Sequence, residues 1–231
     1  MRTVAGTLAG ALERVLRLDD VTLTCAGRTD AGVHAWDQWV HADIPQTTEL
    51  DEAHLARRLV KLLGPEIVVR SVSRAPEGWD ARHSALARTY RYDVLTAGAP
   101  DPFRAGFVWW LPGELDLRAM QLACDAFIGE HDFASFCRQK PDGTLVRRIL
   151  DAGWTQPEAG LLRFEVTANA FCQQMVRSIV GTLVEVGTGR RTAGDMLGII
   201  KAGDRSVAAP VAPPDGLTLW RVTYPREQPQ E

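Results

Sequence analysis

The nine residues Ala26-Gly27-Arg28-Thr29-Asp30-Ala31-Gly32-Val33-His34 place one carboxylate between an arginine and a pair of glycines, directly after an apolar run. An ionised carboxylate in such a loop can attack carbon or stabilise a cationic intermediate. Arg28 offers a planar fork of donors, either to that carboxylate or to a phosphate. Gly27 and Gly32 permit backbone angles closed to other residues and let a ligand approach the main chain. Upstream, Val21, Leu23 and Cys25 alternate with Thr22 and Thr24, the period-two pattern of a strand with one buried face. Asp30 therefore falls on a turn at a strand end. The same residues also fit an Asx-type turn with a surface ion pair, and spacing by itself leaves both readings open.

Other chemistries find less support. Asp30 and His34 stand four apart, like ligand pairs on one helical turn, but Gly32 lies between them and no third ligand is near in sequence. With His34, His41, His54, His83 and His131 scattered, no functional metal is expected. Cys25 sits in an apolar strand with no neighbouring histidine, the setting of an inert thiol. No Gly-Lys-Ser or Gly-Lys-Thr follows the glycines, which removes a phosphate-binding loop of that type. Cys25, Cys124, Cys137 and Cys172 are widely spaced without a Cys-x-x-Cys, so reduced cysteines and no disulfide are expected.

The net charge of −3 argues against a uniformly basic nucleic-acid binder, but charge is unevenly spread. From His54 to Tyr92 eight basic residues (Arg57, Arg58, Lys61, Arg70, Arg74, Arg82, Arg88 and Arg91) face three acidic ones (Glu66, Glu77 and Asp80). Arg138, Lys140, Arg147 and Arg148 flank a Pro141-Asp142-Gly143 turn. These are either solvated faces or a local positive cleft on an acidic molecule. At 231 residues and 45% hydrophobic content the chain can bury a substantial core. No apolar run approaches membrane-spanning length, and cytoplasmic location is the default.

The elements that must position the loop alternate between helix and strand. Val4, Leu8, Leu12 and Val15 mark one helical stripe, and Leu55, Leu59, Leu62 and Leu63 a second, closed by Gly64-Pro65. Strands are expected over Ile67 to Val72 and around Tyr90, Tyr92 and Val94, which share one face. Asp116 can cap a helix carrying Leu117, Met120, Cys124 and Phe127. Val146 to Trp154 and Leu161 to Thr167 read as paired strands joined through Gln156 to Gly160. Met175, Ile179 and Leu183 line a further helix. Thr192 with Asp195 suggests a capped last helix, and Leu217 to Tyr224 a final strand. This order implies an α+β protein of two halves, 1–99 with the aspartate loop and 100–224, divided near Pro100-Asp101-Pro102, with 225–231 a polar tail.

Taken together, Gly27 to His34, Arg88-Thr89-Tyr90-Arg91-Tyr92, Asp132-Phe133-Ala134-Ser135-Phe136, Asn169-Ala170-Phe171 with Met175 to Gly181, and Ala209 to Tyr224 resemble, in order, the tRNA pseudouridine synthase A family. The likeness covers nearly the whole chain. It implies the pseudouridine synthase fold, two α/β halves sharing a central, mostly antiparallel sheet with helices on one side and an RNA-binding cleft on the other. It further implies a homodimer acting on the anticodon stem-loop of tRNA, converting uridine to pseudouridine without a cofactor. By this resemblance Asp30 is the nucleophile and Arg177 its ion-pair partner. Tyr90 is expected to stack on the everted base, and its phenol could relay the C5 proton, although an ordinary phenol is a poor base at neutral pH. Alone, Tyr90 would read as a core residue of a strand. Arg28, Arg88, Arg91, Arg57, Arg58 and Arg138 are the expected RNA contacts.

Family members open with a strand and a loop of the form Tyr-Asp-Gly followed by Gly-Trp-Gln, and neither occurs here. The expectation is a poorly soluble or inactive chain that upstream residues rescue, because an unpaired sheet edge invites aggregation. A noncatalytic RNA-binding relative of the same fold is the alternative.

Overall fold

The computed structural model describes residues 2–138 and 144–225; Lys140 and the Pro141-Asp142-Gly143 turn lie outside them. In chain order the elements are α1 (Val4–Leu16), β1 (Thr24–Cys25), β2 (His34–Ala35), β3 (Val40–His41), α2 (Glu52–Leu63), β4 (Ala87–Leu95) and β5 (Trp109–Trp110). They continue with α3 (Leu117–Cys124), β6 (Gly129–Asp132), β7 (Val146–Glu158), β8 (Leu161–Ala168), α4 (Met175–Gly187), α5 (Asp195–Ala202) and β9 (Leu217–Thr223).

These elements form two compact units. The first runs up to Arg28 and resumes over Trp39–Ala85; the second holds Thr29–Gln38 and everything from Leu86 onward. This division differs from a boundary at Pro100-Asp101-Pro102. The reason is hydrogen bonding: β4 pairs along its length with β8 and β9, and β2 joins the edge of β9, so both belong with the later sequence.

In the first unit, Thr3 Oγ1 accepts from Gly6 N to start α1, and Asp51 Oδ1 accepts from His54 N to start α2. Leu8 and Ala11 of α1 pack with Leu55 and Leu59 of α2. Leu59 is 1% exposed, so truncating it to alanine costs about 2–5 kcal/mol. The expected strand over Ile67 to Val72 does not form. Val69 and Val72 pack against the helices instead, and tertiary burial overrides the β-branched preference of that run. The strand after α1 is also shorter than expected, Thr24–Cys25 pairing with Val40–His41.

The second unit is built on a seven-stranded sheet of order β2-β9-β4-β8-β7-β6, with β5 pairing β4 off that path. It is mostly antiparallel; β2 on β9 and β5 on β4 are the parallel pairs. Alternation sorts the central strand. Tyr90, Tyr92 and Val94 are buried on one face, while Arg91 and Asp93 are half-exposed on the other. Asp116 Oδ1 caps α3 through Ala119 N. Most of α4 is buried, Met175, Ile179 and Leu183 completely. The segment before β9 lies directly on α4, because a Cβ on Gly181 would sit 2.2 Å from Pro210 O.

One expectation about cysteine is corrected. Cys137 and Cys172 form a disulfide across 35 residues, with their Cα atoms 5.8 Å apart. Sequence spacing hid this because the fold brings the two loops side by side, Arg138 N donating to Gln173 O next to the bridge. Cys25 and Cys124 remain free thiols. Among the described residues no helix is long and apolar enough to cross a membrane.

Candidate active site

Asp30 opens a four-residue turn in which Val33 N donates to Asp30 O. The third residue of that turn, Gly32, has φ +85°, the conformation a type II turn demands and other residues resist. The turn feeds β2, whose pairing with β9 anchors the loop to the sheet.

Arg177 lies in the first turn of α4 and divides its guanidinium between two acceptors. Nη1 donates to Asp30 Oδ2 at 2.9 Å, and Nε donates to Ala212 O at 2.7 Å. Its side chain is 12% exposed and that of Asp30 28%, so the pair is partly shielded from water. Among the described residues Arg177 is the group that bonds this carboxylate, which leaves Oδ1 open. A carboxylate held by one oxygen keeps a nucleophilic oxygen while its neighbour is fixed.

Tyr90 and Arg88 lie on the same face of β4. The Tyr90 phenol is pushed up to about 12, first by burial, with the Asp30 charge adding to the rise and Arg88 opposing it. At neutral pH it is a protonated donor and not a base. Phe171 meets the Tyr90 ring edge-on, centroids 5.0 Å apart. Phe171 is placed by Asn169, whose Oδ1 accepts from both Arg148 N and Ala170 N. Arg88 is buried and donates to Asn169 O at 2.9 Å.

Of the remaining cations, Arg91 points to the opposite face, bonded to Glu165 Oε2 and stacked 3.7 Å over the Trp220 ring. Arg138 is exposed beside the disulfide. In the first unit Arg57 and Arg58 are exposed on α2, and Arg28 is exposed at the end of the segment after β1. The structure thus gathers Asp30, Arg177, Tyr90 and Arg88, and sends Arg91 elsewhere. Sequence reasoning assigned no role to Asn169, Phe171 or Ala212; their signal was membership of the quoted segments.

The fold and site together define an α+β protein that presents a half-tethered carboxylate at a sheet whose facing tyrosine is neutral. A model of the tRNA pseudouridine synthase family matches residues 123–225. The tRNA pseudouridine synthase A of Corynebacterium glutamicum is 44% identical over 237 residues, covering 97% of this chain and 81% of the relative. That of Frankia casuarinae is 43% identical, with 97% and 81% covered, and that of Geobacillus kaustophilus 39% identical, with 98% and 87% covered. The chain belongs to the tRNA pseudouridine synthase family.

Proposed function

We propose that this protein isomerises uridine to pseudouridine in tRNA, with Asp30 as the nucleophile. The observation that carries the reading is the Asp30 carboxylate, one oxygen tied to Arg177 and the other open. In the reaction the N1–C1′ bond breaks, the uracil turns, C5 joins C1′, and the C5 proton leaves while N1 gains one. Atoms and electrons balance within the nucleotide, so neither redox partner nor energy source is required. The carboxylate either adds to uracil C6 or takes C1′, and both routes need it ionised beside a fixed cation.

A target uridine leaves its stack before a carboxylate reaches it. Tyr90, only 7% exposed, offers the evicted base a small apolar contact and a neutral donor. Arg28, Arg57, Arg58 and Arg138 are the proposed phosphate contacts, with Arg88 holding the wall near Tyr90. Arg91, already committed to Glu165 and Trp220, is withdrawn from that set. The substrate is the anticodon stem-loop, the working unit a homodimer and the compartment the cytoplasm; family membership supports these readings.

The test is tritium release from tRNA transcripts carrying uridine labelled at C5. The wild type releases tritium and Asp30→Ala releases none while still retaining tRNA on a filter. A wild-type protein that binds tRNA and releases nothing is instead a noncatalytic RNA-binding relative.

A further inference from the structure

Three prolines, Pro210, Pro213 and Pro214, interrupt the segment that crosses α4 before β9, and each removes a backbone donor that could tie it down. Its position must come from other groups. Ala212 N donates to Arg177 O at 3.2 Å, and Ala212 O receives Arg177 Nε. The next carbonyl, Pro213 O, accepts the Tyr92 hydroxyl at 2.8 Å. Pro214 then touches the catalytic turn, since a Cβ on Gly32 would lie 2.8 Å from Pro214 Cγ. The strap therefore contacts both members of the ion pair, Arg177 through its backbone and Asp30 through the turn that Asp30 opens.

We infer that Tyr92 is a positioning residue for this reaction, its hydroxyl holding the Ala212-Pro213-Pro214 strap that aims Arg177 at Asp30. A guanidinium is planar, so fixing Nε on Ala212 O fixes the direction in which Nη1 reaches. If the strap drifts, the Nε anchor drifts with it and Nη1 loses its line to Oδ2. Tyr92 suits the task because it is fully buried and closely packed, with Gly216 against its ring: a Cβ there would meet the ring at 2.7 Å. Burial also keeps the phenol protonated, hence a permanent donor. The residue touches no reacting atom and acts only through the strap.

This inference rests on the uridine-isomerase reading, and the experiment separates the two. Tyr92→Phe removes one oxygen and keeps the ring. Steady-state tritium release from C5-labelled tRNA should show kcat down roughly tenfold with KM within about twofold, since misplacing a catalytic group by an ångström or less costs rate and not binding. Pro214→Ala, which trims the contact on Gly32 from outside the core, should give the same split and carries the test alone if Tyr92→Phe fails to fold. A variant whose melting temperature falls while kcat and KM stay at wild-type values overturns the inference, because the hydroxyl would then be structural only. A wild-type control that releases no tritium overturns the isomerase reading instead, and the inference with it.

Discussion

Asp93 and Asp30, both in the second unit, are each paired with an arginine, and the two pairs differ in what they leave over. Asp93 meets Arg163 through both oxygens, Nε to Oδ1 at 2.7 Å and Nη2 to Oδ2 at 2.8 Å, on the half-exposed face of β4. Asp30 meets Arg177 through one, because the second arm of that guanidinium is taken by Ala212 O. A bidentate fork satisfies a carboxylate and holds two strands in register; a divided fork fixes a carboxylate and leaves it an unspent oxygen. An arginine–aspartate pair thus says little about chemistry until its acceptors are counted.

The comparison breaks most sharply at Asp30 itself. Asp30→Asn should lower tritium release from labelled tRNA by at least about 1,000-fold, since an amide at that place carries no anionic oxygen to attack carbon. Filter binding should stay near the wild-type value. Arg177→Met comes next: with neither Asp30 nor Ala212 O held, single-turnover rate should fall roughly 100-fold, the scale of losing one preorganised electrostatic contact.

Tyr90→Phe should cost less, under about tenfold in rate, because a phenol that stays protonated to about pH 12 contributes no base at neutral pH. The same shift carries a stability signature. A phenol whose pKa rises on folding stabilises the protein fully below about pH 10 and loses that contribution as pH climbs through about 12. Melting temperature measured across that window should fall more steeply for the wild type than for Tyr90→Phe. The smallest change belongs to the other pair. Asp93→Asn should remove about 1 kcal/mol, a few degrees in melting temperature, because its side chains are 20% and 30% exposed. Tritium release should not change; a slowed Asp93→Asn enzyme would erase the distinction between the two pairs.

Much of this arrangement was legible without coordinates. The stripes of α1 and α2, the cap at Asp116, and the β7–β8 hairpin follow from local periodicity and turn chemistry, which a chain carries in consecutive residues. Tyr90, Tyr92 and Val94 share a face because strands alternate. The stretch over Ile67 to Val72 fails by the same measure: it has strand composition, yet Val69 and Val72 are drawn to the helices.

Composition and order along the chain determined that a glycine-flanked aspartate would sit on a turn after an apolar strand, and that two aromatic rings would face one way on β4. Only the tertiary structure decided how the arginines divide their donors, that Cys137 and Cys172 meet, and that a proline-rich strap bears on both Arg177 and Gly32. The physical reason is range. Hydrophobic period and capping act over a few residues, whereas Arg177 reaches an aspartate 147 positions away and Tyr92 a carbonyl 121 away, contacts that exist only once the sheet has closed.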